Sequence, residues 1–118
     1  MSGINPSVAE WQATQGATAL ATNTLTAIQA AVTGKIHCLT GLQIWNASAT
    51  VDTVIQIIDD TATVIWAGYL PNVTDASPIV PTTVNFDPAI RGTVGKAMGI
   101  KAVTTGAAIY WNAQGFDV

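Results

Sequence analysis

With 118 residues the chain is sized for one domain and one core, near the lower end of the usual range. Hydrophobic residues make up 49% and charged residues only 9%, against about 25% in an average soluble domain, so Thr, Asn, Ser, Gln and Ala must finish the surface. The apolar content excludes intrinsic disorder, and a net charge of −3 with Lys35, Arg91, Lys96 and Lys101 as the only cations speaks against nucleic acid as a partner, because phosphate binding needs several Lys or Arg.

Residues 1–16, with Gly3, Pro6 and Gly16, show no sustained periodicity and read as an arm or cap, in which SVAEWQA has the length for one helical turn. Residues 17–118 read as a single β-sandwich domain. In ATALATNTLTAIQAAV, Ala favours a helix and Thr favours strands; the alternation of Leu20, Thr22, Thr24, Thr26 and Ile28 with their neighbours predicts two short strands. KIHCLTGLQIWN predicts a long strand bent at Gly41, with Cys38, Leu42 and Ile44 on one face and His37, Leu39, Gln43 and Trp45 on the other. The β-branched run VDTVIQIIDD and the following TVIWAGYL predict a hairpin about Asp59, Asp60 and Thr61. Pro71, Asn72, Asp75, Ser77, Pro78 and Pro81 then mark a long surface loop.

In the last third, TVNFD predicts a short strand stopped by Pro88, and IRGTVGK a turn-rich bridge. AMGIKAVT predicts a strand with Lys101 toward water. AAIYWNAQGF closes the series, with Ile109, Trp111 and Ala113 on one face and Tyr110, Asn112, Gln114 and Phe116 on the other. Seven or eight strands spaced by about 8–12 residues, with no helix between them, predict an all-β, antiparallel, jelly-roll-like sandwich.

No chemistry-bearing constellation emerges from the residues. His37 and Cys38 are strand neighbours that point to opposite faces and cannot hold one ion together, so neither a metal site nor a cofactor is expected. No Ser sits in a GxSxG-like elbow, and nothing around Cys38 would activate its thiol, so Cys38 reads as packing and His37 as a half-exposed strand histidine. Asp59 and Asp60 read as turn residues rather than an acid–base pair or a calcium site. The expectation is a protein without catalytic residues, against the rival of an enzyme using His37 and a nearby Asp. No apolar run approaches the roughly 18–20 residues that cross a bilayer, and MSGINPSVAEWQ lacks a basic stretch followed by an apolar one, so neither a membrane nor a secretion signal is expected. Without such a signal, the sequons at Asn46 and Asn72 carry no weight. Of the four tryptophans, two or three are expected to fill the core and at least one to lie in a subunit interface, with Trp11 favoured for it. The interface candidates are Trp11, Trp45, Trp66, Tyr69 and Trp111.

The segments LQIWNASATVDTVIQIIDDTATVIWAGYLP, NFDPAIRGTVGKAMGIKA and AAIYWNAQGF, spread over roughly residues 35–118, resemble small β-sandwich virion proteins of tailed bacteriophages. Within that group they look most like capsid decoration (cement) or head-fibre-type proteins that form trimers. The resemblance implies a homotrimer, made in the host cytoplasm and resident in the virion, that binds the major capsid protein and stabilises the shell. It also implies that residues 1–16 reach onto the capsid lattice. The alternative is a carbohydrate- or receptor-binding module of a phage tail or fibre, with Tyr69 or Trp66 stacking on a sugar.

Overall fold

The structure, a computed structural model, describes residues 9–15, 19–20, 23–74 and 82–118. Residues 1–8 of the expected arm, and Asp75, Ser77, Pro78 and Pro81 of the expected loop, lie outside the described residues. The described elements are the strands β1 (Ala9–Thr14), β2 (Thr26–Gln29), β3 (His37–Asn46), β4 (Thr53–Asp59), β5 (Thr63–Leu70), β6 (Thr82–Arg91), β7 (Met98–Ala102) and β8 (Ile109–Asp117). They form two four-stranded antiparallel sheets, sheet A in the order β1-β8-β3-β6 and sheet B in the order β2-β7-β4-β5. The chain changes sheet at nearly every connection, β4 to β5 excepted, which is the double Greek key of a jelly roll.

The core lies between the sheets. From sheet A, Leu39, Leu42, Ile44, Ile109, Trp111 and Ala113 point inward; from sheet B, Ile28, Ile55, Ile57, Met98, Ile100 and Ala102 meet them. Alternation is clean in β8, where every second residue from Ile109 to Gly115 is buried. Between β5 and β6 the open side of the sandwich is closed by Trp66 and Phe86, whose rings meet edge to face at 5.5 Å and 82°.

Three local features differ from the sequence reading. Ala9–Thr14 of the expected arm form an edge strand on β8, with Trp11 and Ala13 packed against the core, rather than a helical turn. β6 continues through Pro88 to Arg91, because it is the outer strand of its sheet and a missing N–H there breaks no ladder. Pro88 sits where the pairing is interrupted: Leu39 faces Ile90, Gly41 faces Asn85, and the residues between pass unpaired.

The third is a β-bulge in β3, where Thr40 and Gly41 together oppose Gln114 of β8 and the Thr40 hydroxyl donates to the Gln114 carbonyl at 3.0 Å. The extra residue reverses the alternation, so the expected faces of β3 are corrected. His37 and Leu39 share the inner face with Leu42 and Ile44, while Cys38, Gln43 and Trp45 stand on the outer one.

Candidate functional site

The bulge assembles the outer face of sheet A. Its cross-strand rows follow from the register. Arg91, Cys38, Phe116 and Glu10 form the first; Asn85, Gly41, Gln114 and Gln12 the second; Thr83, Gln43, Asn112 and Thr14 the third; and Trp45 with Tyr110 the fourth. The second, third and fourth rows contain no charged residue; on β6 the charge nearest to them is Asp87, exposed two residues beyond Asn85. Gln43 and Gln114 pair reciprocally, each Nε2 donating to the other's Oε1 at 3.0 and 2.7 Å, and the Thr14 hydroxyl donates to Asn112 Oδ1. A Cβ at position 41 would sit 2.7 Å from Gln114 Oε1, so glycine leaves room for that amide to lie over the sheet. The indole of Trp45 and the ring of Tyr110 stack at 5.5 Å and 16°, both partly exposed. Two open troughs of about 460 and 520 Å³ run beside Gln12 and Gln114, the second also bounded by Thr14, Gln43 and Asn112.

On the inner side of the same sheet, His37 is 1% exposed rather than half exposed. Its Nε2 donates to the Ala30 carbonyl at 2.7 Å, since a carbonyl can only accept, and its Nδ1 is hydrogen-bonded to Asp117 Oδ1 at 2.6 Å. The same carboxylate oxygen accepts the Trp11 indole N–H at 2.9 Å. One cluster thereby fastens β1, β3, β8 and the 30–36 connection. An Asp does stand beside His37, but the imidazole is buried and Asp117 half-buried, and the contacts at Nδ1, Nε2 and Oδ1 are with the chain's own groups.

At this end of the sandwich the connections 30–36 and 92–97 and Val118 are tied together. Gly95 N–H donates to the Lys35 carbonyl at 2.8 Å, Gly92 N–H to the His37 carbonyl at 2.9 Å, and Ile36 and Val118 exchange backbone bonds at 2.9 and 3.1 Å. The arrangement leaves Val32, Val94 and Val118 exposed at 45%, 55% and 38%. Val118 also lines an open cavity of about 220 Å³ with Cys38, Pro88, Ala89, Arg91 and Phe116, whose walls are apolar apart from the guanidinium. Cys38 is itself 1% exposed. Burial pushes its thiol above the ordinary 9.0; the Arg91 charge opposes this and the Asp117 charge adds to it. In the folded protein Cys38 is therefore expected to react with a disulfide reagent about 100-fold more slowly than after denaturation. Equal rates would show that the thiol is open to solvent.

The remaining interface candidates separate. Trp11 is half-buried against the core, Trp111 is 2% exposed with its indole N–H on Gln15 Oε1 at 2.9 Å, and Trp66 lies against Phe86 over Gly68, where a Cβ would fall 2.5 Å from its ring. Tyr69, at 63% exposure, is the outward ring of β5. The Asn72 backbone N–H, then the Tyr69 hydroxyl, then the Asn72 side-chain amide hold the Asp52 carboxyl below the ordinary 3.8 against a smaller rise from burial.

The two hairpin aspartates diverge. Asp60 takes the left-handed turn conformation at φ 60°, and Asp59 accepts from the Thr93 backbone N–H and hydroxyl at 3.0 and 2.6 Å. Asn46 and Asn72 are buried, their amides committed to local turns. Among the described residues no three or more His, Cys, Asp and Glu side chains gather as a metal site, and no helix is long and apolar enough to cross a membrane.

Sequence reasoning put Gln43 with Trp45 on one face of their strand and Tyr110, Asn112 and Gln114 on one face of theirs, but did not join the two sets or add Gln12 to them. Their signal is a run of neutral amides at alternate positions, legible as one surface only once β1, β8 and β3 are placed side by side. The cross-bonding that sets exposed Val32, Val94 and Val118 on one end of the sandwich left no sequence signal, since the three lie far apart in the chain. No protein-family model and no curated protein matches this chain.

Proposed function

We propose that the protein is a non-enzymatic structural component of a tailed-phage virion, a capsid decoration protein that binds the major capsid protein at the outer shell as a homotrimer. The observation that carries this reading is the end of the sandwich formed by the 30–36 and 92–97 connections and Val118. Val32 and Val94 are exposed on these cross-bonded connections together with Lys35 and Lys96, and Val118, also exposed, lines the Phe116–Pro88 cavity. Exposed apolar side chains on a hydrogen-bonded frame suit a contact surface, and obligate interfaces resemble a core cut in half. The jelly-roll order agrees with the resemblance of residues 35–118 to virion sandwiches, though the same order serves many functions. Stabilisation of the shell follows from linkage, because whatever binds the assembled capsid favours it over free capsomers.

The alternative, a sugar- or receptor-binding module built on Tyr69 and Trp66, is weakened by the inward turn of Trp66 onto Phe86, which takes its indole away from the exposed side of β5. The test has two parts. Light scattering after size exclusion is expected to give the mass of three chains, and a persistent monomer overturns the trimer. The double variant Val32→Asp/Val94→Asp is expected to melt as the parent does and to lower the number of copies on capsids of the phage carrying its gene by at least about tenfold. Unchanged occupancy overturns the docking end.

A further inference from the structure

From the outer face of sheet A we infer a second binding site, specific for neutral oligosaccharides, formed by Gln12, Gln43, Asn112 and Gln114 beside the Trp45–Tyr110 stack. The ligand class follows from the chemistry of the face. A sugar hydroxyl both donates and accepts, and a carboxamide supplies both an N–H donor and a carbonyl acceptor, whereas a carboxylate only accepts and an ammonium only donates. The second and third rows contain amides, threonines and a glycine; the charges nearest to them are two carboxylates, Glu10, which lines the first trough, and Asp87, exposed two residues beyond Asn85, and both disfavour an anionic ligand. The amides are also set in place before any ligand arrives. Gln43 and Gln114 each spend one N–H and one lone pair on the other, which fixes both planes and leaves each a further N–H and lone pair for a ligand. The Thr14 hydroxyl holds Asn112 by its Oδ1 and leaves the Asn112 N–H groups outside that bond.

The aromatic pair supplies the other half of saccharide recognition. Trp45 follows Gln43 by two residues on one strand, and Tyr110 precedes Asn112 by two on the next, so the rings stand about 7 Å from the amide row on the same face. The two rings are stacked on each other and both are partly exposed, which offers aromatic surface to the C–H groups of a sugar. The troughs beside Gln12 and Gln114 give the chain of rings a path along the sheet. This site is on the sheet face, apart from the valines at the sandwich end and from Tyr69 on β5, so it stands or falls independently of the capsid reading.

The experiment presents the full chain to an array of oligosaccharides built from glucose, galactose, mannose and N-acetylglucosamine, with sialylated and sulfated glycans alongside. Binders are then measured by titration with tryptophan fluorescence as readout. Neutral glycans are expected to bind with an affinity that high salt leaves unchanged. Gln12→Ala, at an exposed edge position, is expected to weaken binding about tenfold, as is Gly41→Ala, which displaces the Gln114 amide. Trp45→Ala is expected to abolish binding while leaving the melting temperature close to the parent's, and Tyr69→Ala to leave binding unaffected. The site is overturned if no neutral glycan binds, if only charged glycans bind, or if Gln12→Ala and Trp45→Ala bind as the parent does.

Discussion

Replacing His37 with alanine is expected to cost about 3–5 kcal/mol of stability, from the cavity left by a buried side chain and the loss of its two hydrogen bonds. The imidazole is fully buried and engaged at both nitrogens, so its loss leaves the Ala30 carbonyl without its donor and Asp117 with only the Trp11 indole. Unpaired polar groups in a dry site keep their desolvation cost without compensation. For a chain of this size the loss corresponds to a fall in melting temperature of about 10 °C or more. Asp117→Asn is expected to lose less, because the amide oxygen still accepts from one of the two donors. Thermal unfolding of both variants checks the order, and a loss below about 1 kcal/mol for His37→Ala would show that the cluster does not fasten this end of the sandwich. Hydrogen exchange adds a local signature: amides of β1 and of residues 30–36 should lose protection first, since His37 and Asp117 join them to the central strands.

Gly115→Ala is the second large effect, and its cause is steric. A Cβ there would lie 2.1 Å from the Cys38 carbonyl oxygen and 2.4 Å from the Trp11 ring. The carbonyl belongs to β3, whose ladder with β8 runs the length of both strands, so it cannot retreat without separating the centre of sheet A. Overpacking of this kind costs about 3 kcal/mol or more, and poor soluble yield is the expected outcome. Gly41→Ala provides the comparison within the same sheet. Its Cβ meets the end of the Gln114 side chain, which can swing aside, and the expected cost is below about 1 kcal/mol. A soluble Gly115→Ala protein melting within a few degrees of the parent would disprove the close approach of β3, β8 and Trp11.

Much of the fold was legible because alternation is a local property. β8 shows its two faces directly: Ile109, Trp111 and Ala113 inside, Tyr110, Asn112 and Gln114 outside. The β4–β5 hairpin follows from a β-branched run ending at Asp59 and Asp60. β3 shows the limit of that reasoning. Gly41 signals an irregularity, but whether the strand bends or gains a residue depends on what opposes it, and only Gln114 on a strand some 70 residues away in sequence decides. One extra residue moved His37 from a surface reading to the core and joined Cys38 to the face of Gln43 and Trp45. Pro88 was similarly ambiguous, because proline forbids a central strand and permits an outer one, and strand position is a property of the sheet order. The candidate site was the least legible part, since it joins β1, β8 and β3, which are distant in sequence.

The strand order has a further bearing on how the molecule comes into being. β8 is a central strand of sheet A, flanked by β1 and β3, so the first and third strands have no partner between them until residues 109–117 have left the ribosome. Sheet B holds β4 and β5 as neighbours in sequence, which can pair early as a hairpin. Synthesis therefore yields a half-built sandwich whose apolar inner face waits for its cover, and the His37–Asp117 contact forms among the last. Long-range pairing of this kind makes folding slow and leaves nascent chains open to association with one another. Yield in the cell should accordingly depend on translation rate and chaperone supply more steeply than the stability of the finished protein would suggest.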